Sequence, residues 1–425
     1  MKLPESIGVL RNRNFRLYWI GQAVSLTGTW GQYMAQLWVV ARLSTSAGVL
    51  GLLNVVGSLP MMGLAMQGGA LADRLEKRRI LIVTQVIMML LAFVFAGLVF
   101  SGRIALWHIF TLAFLLGIAT AFDLPAAQAL PAELVERAEI PKAVALMQSI
   151  FHGSRFLGPA VAGVLVSRFG EGSAFLGNGV SFLAVIASLV MIRLVAKPAA
   201  RGASRRGAIA EGFRYVRSEP TLRALILLTA LTTSLVFPFI IVLLVFYVKH
   251  VLMANAQGMG IVMSVSGLGS LTGALVLLSG GPETRRKWIL GGVLGSAAAL
   301  VALSFTHTLS VAVAIVALLS FSISSLMGRI TQMIQEIVPG VMRGRVMGTY
   351  AMSFMGVMPY AALLLSFVTD RIGFQSTVRI SSGLYVTLAL VLLYNAHAAL
   401  AHRASPAAAP SAQAEAPAEA QARGA

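Results

Sequence analysis

The sequence predicts an all-α membrane protein of twelve transmembrane helices arranged as two six-helix, pseudo-symmetric halves. Three observations lead there. Of 425 residues, 57% are hydrophobic and only 11% are charged, against about 25% charged in a soluble domain. The apolar residues gather into runs of roughly 20, the length that crosses about 30 Å of hydrocarbon. The 33 Lys and Arg residues are unevenly placed. Arg42, Arg103, Arg168, Lys249, Arg371 and Arg379 fall on one set of loops, Arg155 falls inside a run, and all the others are assigned to the opposite set. This is the positive-inside signature. It explains a net charge of +18 without a nucleic-acid partner.

Hydropathy and punctuating residues place the first six spans at 17–40, 49–71, 80–100, 106–130, 143–166 and 174–195. The small polar turn LSTSAG closes the first, the charge cluster DRLEKRR the second, SGR the third and Pro131 the fourth. The second six are expected at 222–248, 259–278, 288–305, 311–334, 346–368 and 380–400. Residues 1–195 and 221–402 thus form two six-helix halves. Between them, residues 196–220 form a basic loop on the cytoplasmic side. Within it Ile209, Phe213 and Val216 recur at helical spacing, which predicts a short amphipathic helix lying on the membrane face. An unstructured basic linker is the alternative. Residues 403–425 lack bulky apolar side chains and read as a disordered cytoplasmic tail.

The charged N-terminus has no small-residue cleavage site and reads as retained. An even number of spans puts both termini in the cytoplasm of a bacterial-type inner membrane. There is no cysteine, which excludes disulfides and thiolate metal sites. No metal-spaced His pair and no catalytic constellation is present, so no cofactor, metal or enzymatic activity is expected. GLGSLTG resembles a dinucleotide-binding loop, but it sits inside an apolar run with no preceding strand. Gly267, Gly269 and Gly273 are better read as a helix-packing surface.

The loop after the second span reads GGALADRLEKRR. Gly69, Asp73, Arg74, Lys77 and Arg78 match the G-x-x-x-D-R-x-G-R-R/K signature of the major facilitator superfamily, with Glu76 at the usual glycine. The stretches FDLPAAQALPAELVERAEIPKAVALMQSIFHGSRFLGPAVAG and RGRVMGTYAMSFMGVMPYAALLLS resemble the enterobactin-exporter and macrolide-efflux branch of that superfamily. There Ala127 replaces a usual Arg, and Met147 and Gln148 replace a usual Leu-Asn pair. The resemblance covers residues 14–400. It implies the major facilitator fold, in which the signature loop latches the halves together in one conformation. Asp73 could then cap the N-terminus of the eleventh span. Gly158, Pro159 and Gly163, with Ser154 and Ala162 at two usual glycines, resemble the antiporter motif G-x-x-x-G-P-x-x-G-G. That resemblance implies an exporter exchanging substrate for protons.

Charges inside a span are costly and usually functional. Gln148, His152 and Arg155 share one helical face of the fifth span at spacings of four and three. This face is expected to border a central cavity, where Arg155 attracts anionic or polar substrate groups; a structural arginine tying span five to a neighbour is the alternative. In the first span Ser25, Thr29, Gln32 and Gln36 form a polar stripe. With Gln22, Trp30, Tyr33 and Asn54 they are candidates for a cavity wall, although single amides in a span more often bond a neighbouring helix. No Asp or Glu lies near the middle of an expected span. Asp123 and Glu336 sit near corresponding ends of spans four and ten and read as paired gating charges. Asp123 would join Asp73 and Arg74, and Glu336 would meet Arg343 or Arg345. Asp123, Glu336 and His152 are the candidates for proton coupling.

The reading is a secondary transporter that moves a small amphipathic substrate, of siderophore or drug-like kind, out across the membrane by alternating access, with protons as coupling ion, membrane lipid around it and the protein a monomer. A lipid or lysophospholipid translocator, a solute importer and a ligand-binding sensor are its competitors.

Overall fold

A computed structural model describes residues 5–192, 208–276 and 285–403. The disordered-tail expectation for residues 403–425 therefore lies outside the described residues, apart from Arg403. No strand occurs among the described residues. The first six spans are α1 (Arg13–Leu43), α2 (Ala47–Arg74), α3 (Lys77–Phe100), α4 (Leu106–Leu134), α5 (Ile140–Phe169) and α6 (Gly172–Met191). A short α7 (Ala208–Ser218) precedes the broken seventh span, formed by α8 (Pro220–Leu235), α9 (Phe237–Ile241) and α10 (Leu243–Phe246). Then come α11 (Ala256–Leu275), α12 (Arg285–Ser304), α13 (Leu309–Ile337), the two-part eleventh span α14 (Gly340–Met355) and α15 (Met358–Ile372), and α16 (Phe374–Arg403).

Eleven helical segments are long and apolar enough to cross a membrane by length and composition. The twelfth crossing segment, α1, is 31 residues long, but its polar stripe dilutes its hydropathy. Gln22, Ser25, Gln32 and Gln36 are all buried against other helices, so lipid never meets them. α1 packs between α5 and α6.

Three spans differ from expectation, each at a proline. α4 runs through Pro131 to Leu134 rather than ending there. Pro131 has no N–H for the Ala127 carbonyl, and the Tyr18 hydroxyl donates to that carbonyl instead, at 3.4 Å. The seventh and eleventh spans are interrupted near Pro238 and Pro359, each of which opens a new helical segment.

The helices of each half pack mainly among themselves. Two helix pairs carry most of the contact between the halves, α5 with α11 and α2 with α15, and α1 and α2 also touch α10. Both helix pairs rely on small residues. Gly163 of α5 faces Gly260 of α11, and a Cβ at Gly260 would fall 2.6 Å from the Pro159 carbonyl oxygen. Gly267 lies against the backbone of Arg155 and Phe156, while Gly269 and Gly273 pack on α13. The glycine-rich run is thus a helix-packing surface. Gly51 of α2 sits against Leu363 and Ser366 of α15.

α7 occupies the expected amphipathic helix. It docks on α14 through Gly212, which meets the Arg345 carbonyl. Val216 is buried, while Phe213 is 60% exposed.

Replacing Gly260 by Leu is expected to force α5 from α11 and lower the thermal midpoint of the detergent-solubilised protein by several degrees, an effect of about 1–3 kcal/mol. The same substitution at Gly291, where a Cβ meets nothing within 4 Å, is the comparison and should leave the midpoint nearly unchanged.

Candidate functional site

A cavity of about 740 Å³ lies between the halves. One wall is α5, whose 3.6-residue period brings Gln148, His152 and Arg155 onto the same face. The facing wall is α13, with Ser320, Ser324, Met327, Thr331 and Gln332. Phe237, Tyr350, Phe354 and Met355 add apolar surface. The lining extends from Arg155 and Ser320 toward the loops rich in Lys and Arg, ending at the exposed Gln148 and Gln335. The cavity therefore opens on the basic face.

Arg155 is held over Trp30 of α1, with its guanidinium carbon 5.5 Å from the ring centroid. Trp30 is fixed in turn by edge-on contacts to Tyr33 and Phe151. No ion pair or hydrogen bond of the Arg155 side chain occurs among the described residues.

The remaining substrate candidates separate. Gln36 and Asn54 line a second cavity of about 280 Å³ between α1, α2 and α4, together with Tyr33. Asn54 Oδ1 is buried there without a partner. Gln32 accepts a hydrogen bond from Asn178 Nδ2 at 2.8 Å, and Gln22 donates to the Tyr18 hydroxyl at 3.1 Å. The Gln32 amide ties α1 to α6, whereas the Gln22 bond stays within α1.

The opposite face is shut by a contact that the sequence did not announce. Asp370, near the end of α15, caps the start of α2 in the other half. Its carboxylate accepts from the Ser46 hydroxyl at 2.5 Å, the Ala47 amide at 2.6 Å and the Gly48 amide at 2.8 Å. The charge sits on the positive end of the helix dipole and satisfies amides that lack an intrahelical partner. A Ser at 46 followed by a helix was visible in the sequence; the distant acid that serves it was not. On the same face the Tyr33 hydroxyl donates to the Ile241 carbonyl across the halves at 2.9 Å, and Arg42 pairs with Glu171 at 2.9 Å.

On the basic face, no bond among the described residues joins the signature loop to the second half. Asp73 and Arg74 are exposed. Lys77 pairs with Glu133 of α4 at 2.6 Å, and Arg78 donates to the Leu189 and Val190 carbonyls of α6. These bonds stay within the first half. A Cβ at Gly69 would meet nothing, whereas its neighbour Gly68 presses on the Ala121 carbonyl of α4. The expected Asp73 cap on span eleven is absent in this conformation, because α2 meets that span only through α15 at the far end.

Two expected pairings are also corrected. Asp123 does not meet Asp73 or Arg74. It points into the first half, accepting from Thr84 Oγ1 at 2.6 Å and Gln85 Nε2 at 2.9 Å. Arg345 pairs with Glu211 of α7 rather than Glu336; Glu336 and Arg343 lie exposed at the basic face. One charge was misplaced. Arg329, counted with the basic loops, is 1% exposed inside α13 and donates to the Val276 carbonyl at 3.0 Å and to Gln332 Oε1 at 3.2 Å. Its position within the tenth apolar run was the signal.

The family model of transmembrane secretion effectors matches residues 5–423. The chain belongs to this family, within the major facilitator superfamily. Macrolide efflux protein A of Streptococcus pyogenes is 27% identical over 389 residues, covering 89% of this chain and 94% of the relative. The staphyloferrin A transporter of Staphylococcus aureus is 24% identical over 372 residues, covering 86% and 92%. Among solved structures, a bacterial homologue of the lysosomal transporter Spinster, inward-facing and unoccupied, superposes with a TM-score of 0.73 at 13% identity, covering 93% of this chain and 99% of that one. This chain is therefore a multi-pass membrane transporter of the facilitator fold and not an enzyme.

Removing the transporter's Asp370 cap by Asp370→Ala is expected to cost the closed face about 1 kcal/mol, a fivefold change in population. Because the chain has no cysteine, a single Ser366→Cys in the buried α2–α15 contact can report it. Labelling by a membrane-impermeant maleimide should rise severalfold in the Asp370→Ala background. An unchanged rate removes the cap's role in closure.

Proposed function

We propose that this transporter exports small amphipathic molecules across the bacterial inner membrane by alternating access, in exchange for protons. The observation that carries the reading is the cavity itself. It has the volume of a drug-sized site, opens on the basic face and is closed on the other by Asp370. The excess of Lys and Arg argues that the open face, with both termini, is cytoplasmic. Loading from the cytoplasm and closure toward the outside are what an exporter's substrate-accepting state requires. Relatives named as efflux proteins favour export over import.

Pro159 and Gly163 then act as the pivot at which α5 and α11 rock, while Gly158 lies against Thr27 and Trp30 of α1. In the opposite state the Asp370 contact would open, and the exposed signature loop, with Asp73, Arg74, Glu336 and Arg343 near it, would close the basic face.

Asp123 is the leading coupling group in this proposal. Its carboxylate lies away from the loops, against Thr84 and Gln85 of α3 and near the Tyr18–Gln22 pair of α1.

A lipid translocator remains the second reading, supported by an apolar groove of about 620 Å³ between α3 and α4, with Glu76 and Arg79 among its lining residues.

In proteoliposomes an imposed pH gradient is expected to accelerate efflux of a transported amphipathic dye at least tenfold. Asp123→Asn should abolish that acceleration while preserving substrate counterflow. Efflux indifferent to the gradient overturns proton coupling; gradient-driven efflux surviving in Asp123→Asn removes Asp123 from the role.

A further inference from the structure

We propose that the large cavity selects amphipathic anions, carboxylates foremost, and rejects cations. The inference rests on the cavity being the substrate site, and it adds the charge that the substrate must carry.

The argument begins with an imbalance. Arg155 contributes a full positive charge to the cavity wall, and His152 stands one turn away on the same face. Among the described residues, no Asp or Glu lines this cavity. The nearest buried carboxylate described above, Asp123, is turned into the first half and engaged by Thr84 and Gln85. The other buried guanidinium, Arg329, reaches the Val276 carbonyl and Gln332. Arg155 has only the face of Trp30.

A guanidinium within a membrane span is expensive unless an anion or water answers it. Trp30 offsets part of that cost through its π face and holds the side chain in place. The planar N–H fork remains available to a bidentate oxyanion, for which carboxylate is the closest geometric match. Gln148, nearer the mouth on the same face, and Ser320, Ser324 and Thr331 across the cavity offer neutral polar groups. Phe237, Phe354 and Met327 suit an apolar body. An ammonium ligand would meet the same Arg155 charge with no counter-ion in the wall, which is repulsive specificity against the wrong sign.

The test uses two xanthene dyes of similar size and opposite charge, carboxyfluorescein and rhodamine 6G. Binding to the intact detergent-solubilised chain is read by dye polarisation, and transport by counterflow in proteoliposomes. Carboxyfluorescein is expected to bind at least tenfold more tightly than rhodamine 6G. Arg155→Gln should weaken carboxyfluorescein at least tenfold, with Arg155→Lys recovering part of the loss. Should Arg155→Gln fail to fold, Gln148→Glu supplies an independent probe: the added carboxylate should weaken carboxyfluorescein severalfold, whereas Gln148→Met should not. Lysophosphatidylglycerol is the third ligand; displacement of carboxyfluorescein by it at lower concentration than by free dye identifies a lipid phosphate as the natural oxyanion.

Equal or tighter binding of rhodamine 6G, or failure of both dyes to bind at millimolar concentration, overturns the anion-selective site. The export reading is judged separately. Rhodamine 6G binding tightly and being transported leaves transport intact and sinks the selectivity. Carboxyfluorescein binding with no counterflow upholds the selectivity and sinks transport.

Discussion

The architecture depends on how the two halves touch. In hydrocarbon, helices gain little from burying apolar surface against one another, so contact depends on close backbone approach and on polar groups that find partners. Here two helix pairs make most of that contact, α5 with α11 and α2 with α15. Glycines at 163, 260 and 51 allow the approach. Asp370 then fastens one end of the α2–α15 pair by capping a helix that belongs to the other half. With the halves joined there and by the Tyr33–Ile241 bond, they diverge toward the basic face, where the cavity opens and the signature loop is exposed.

This arrangement links local chemistry to a two-state mechanism. In the proposed cycle the second and eleventh spans are joined alternately at either end by the same device, a carboxylate on one span set against the N-terminus of the other. In the observed state Asp370 serves the α2 start. Asp73 stands exposed at the other end of the same helix, facing the role that family resemblance implies for it. A pair of alternative caps on one helix pair is bistable, because both cannot be engaged while the halves rock as rigid bodies.

The cavity shows the same economy of charge. Arg155 is supported by an aromatic ring rather than an acid, so its field is left for whatever enters. Arg329, by contrast, is spent on the Val276 carbonyl and Gln332. The two arginines therefore differ in what they can do, and their partners set that difference.

Much was legible in the sequence because its signals are local. Span length, the bias of Lys and Arg, the amphipathic helix before the seventh span and the Gln148–His152–Arg155 face all follow from composition and helical period, which the bilayer enforces. Pairings between distant residues were not legible. Asp123 meets Thr84 and Gln85 instead of the signature loop, Arg345 meets Glu211, and Pro131 sits inside a helix because Tyr18 serves the carbonyl it frees. Gln32 and Gln36, one turn apart on α1, ended in a helix-joining bond and a cavity wall respectively. Hydropathy and period alone settled how many helices there are and which faces are polar. Which polar groups are satisfied by protein and which are left for a ligand was decided by packing, since that depends on side chains brought together from hundreds of residues apart.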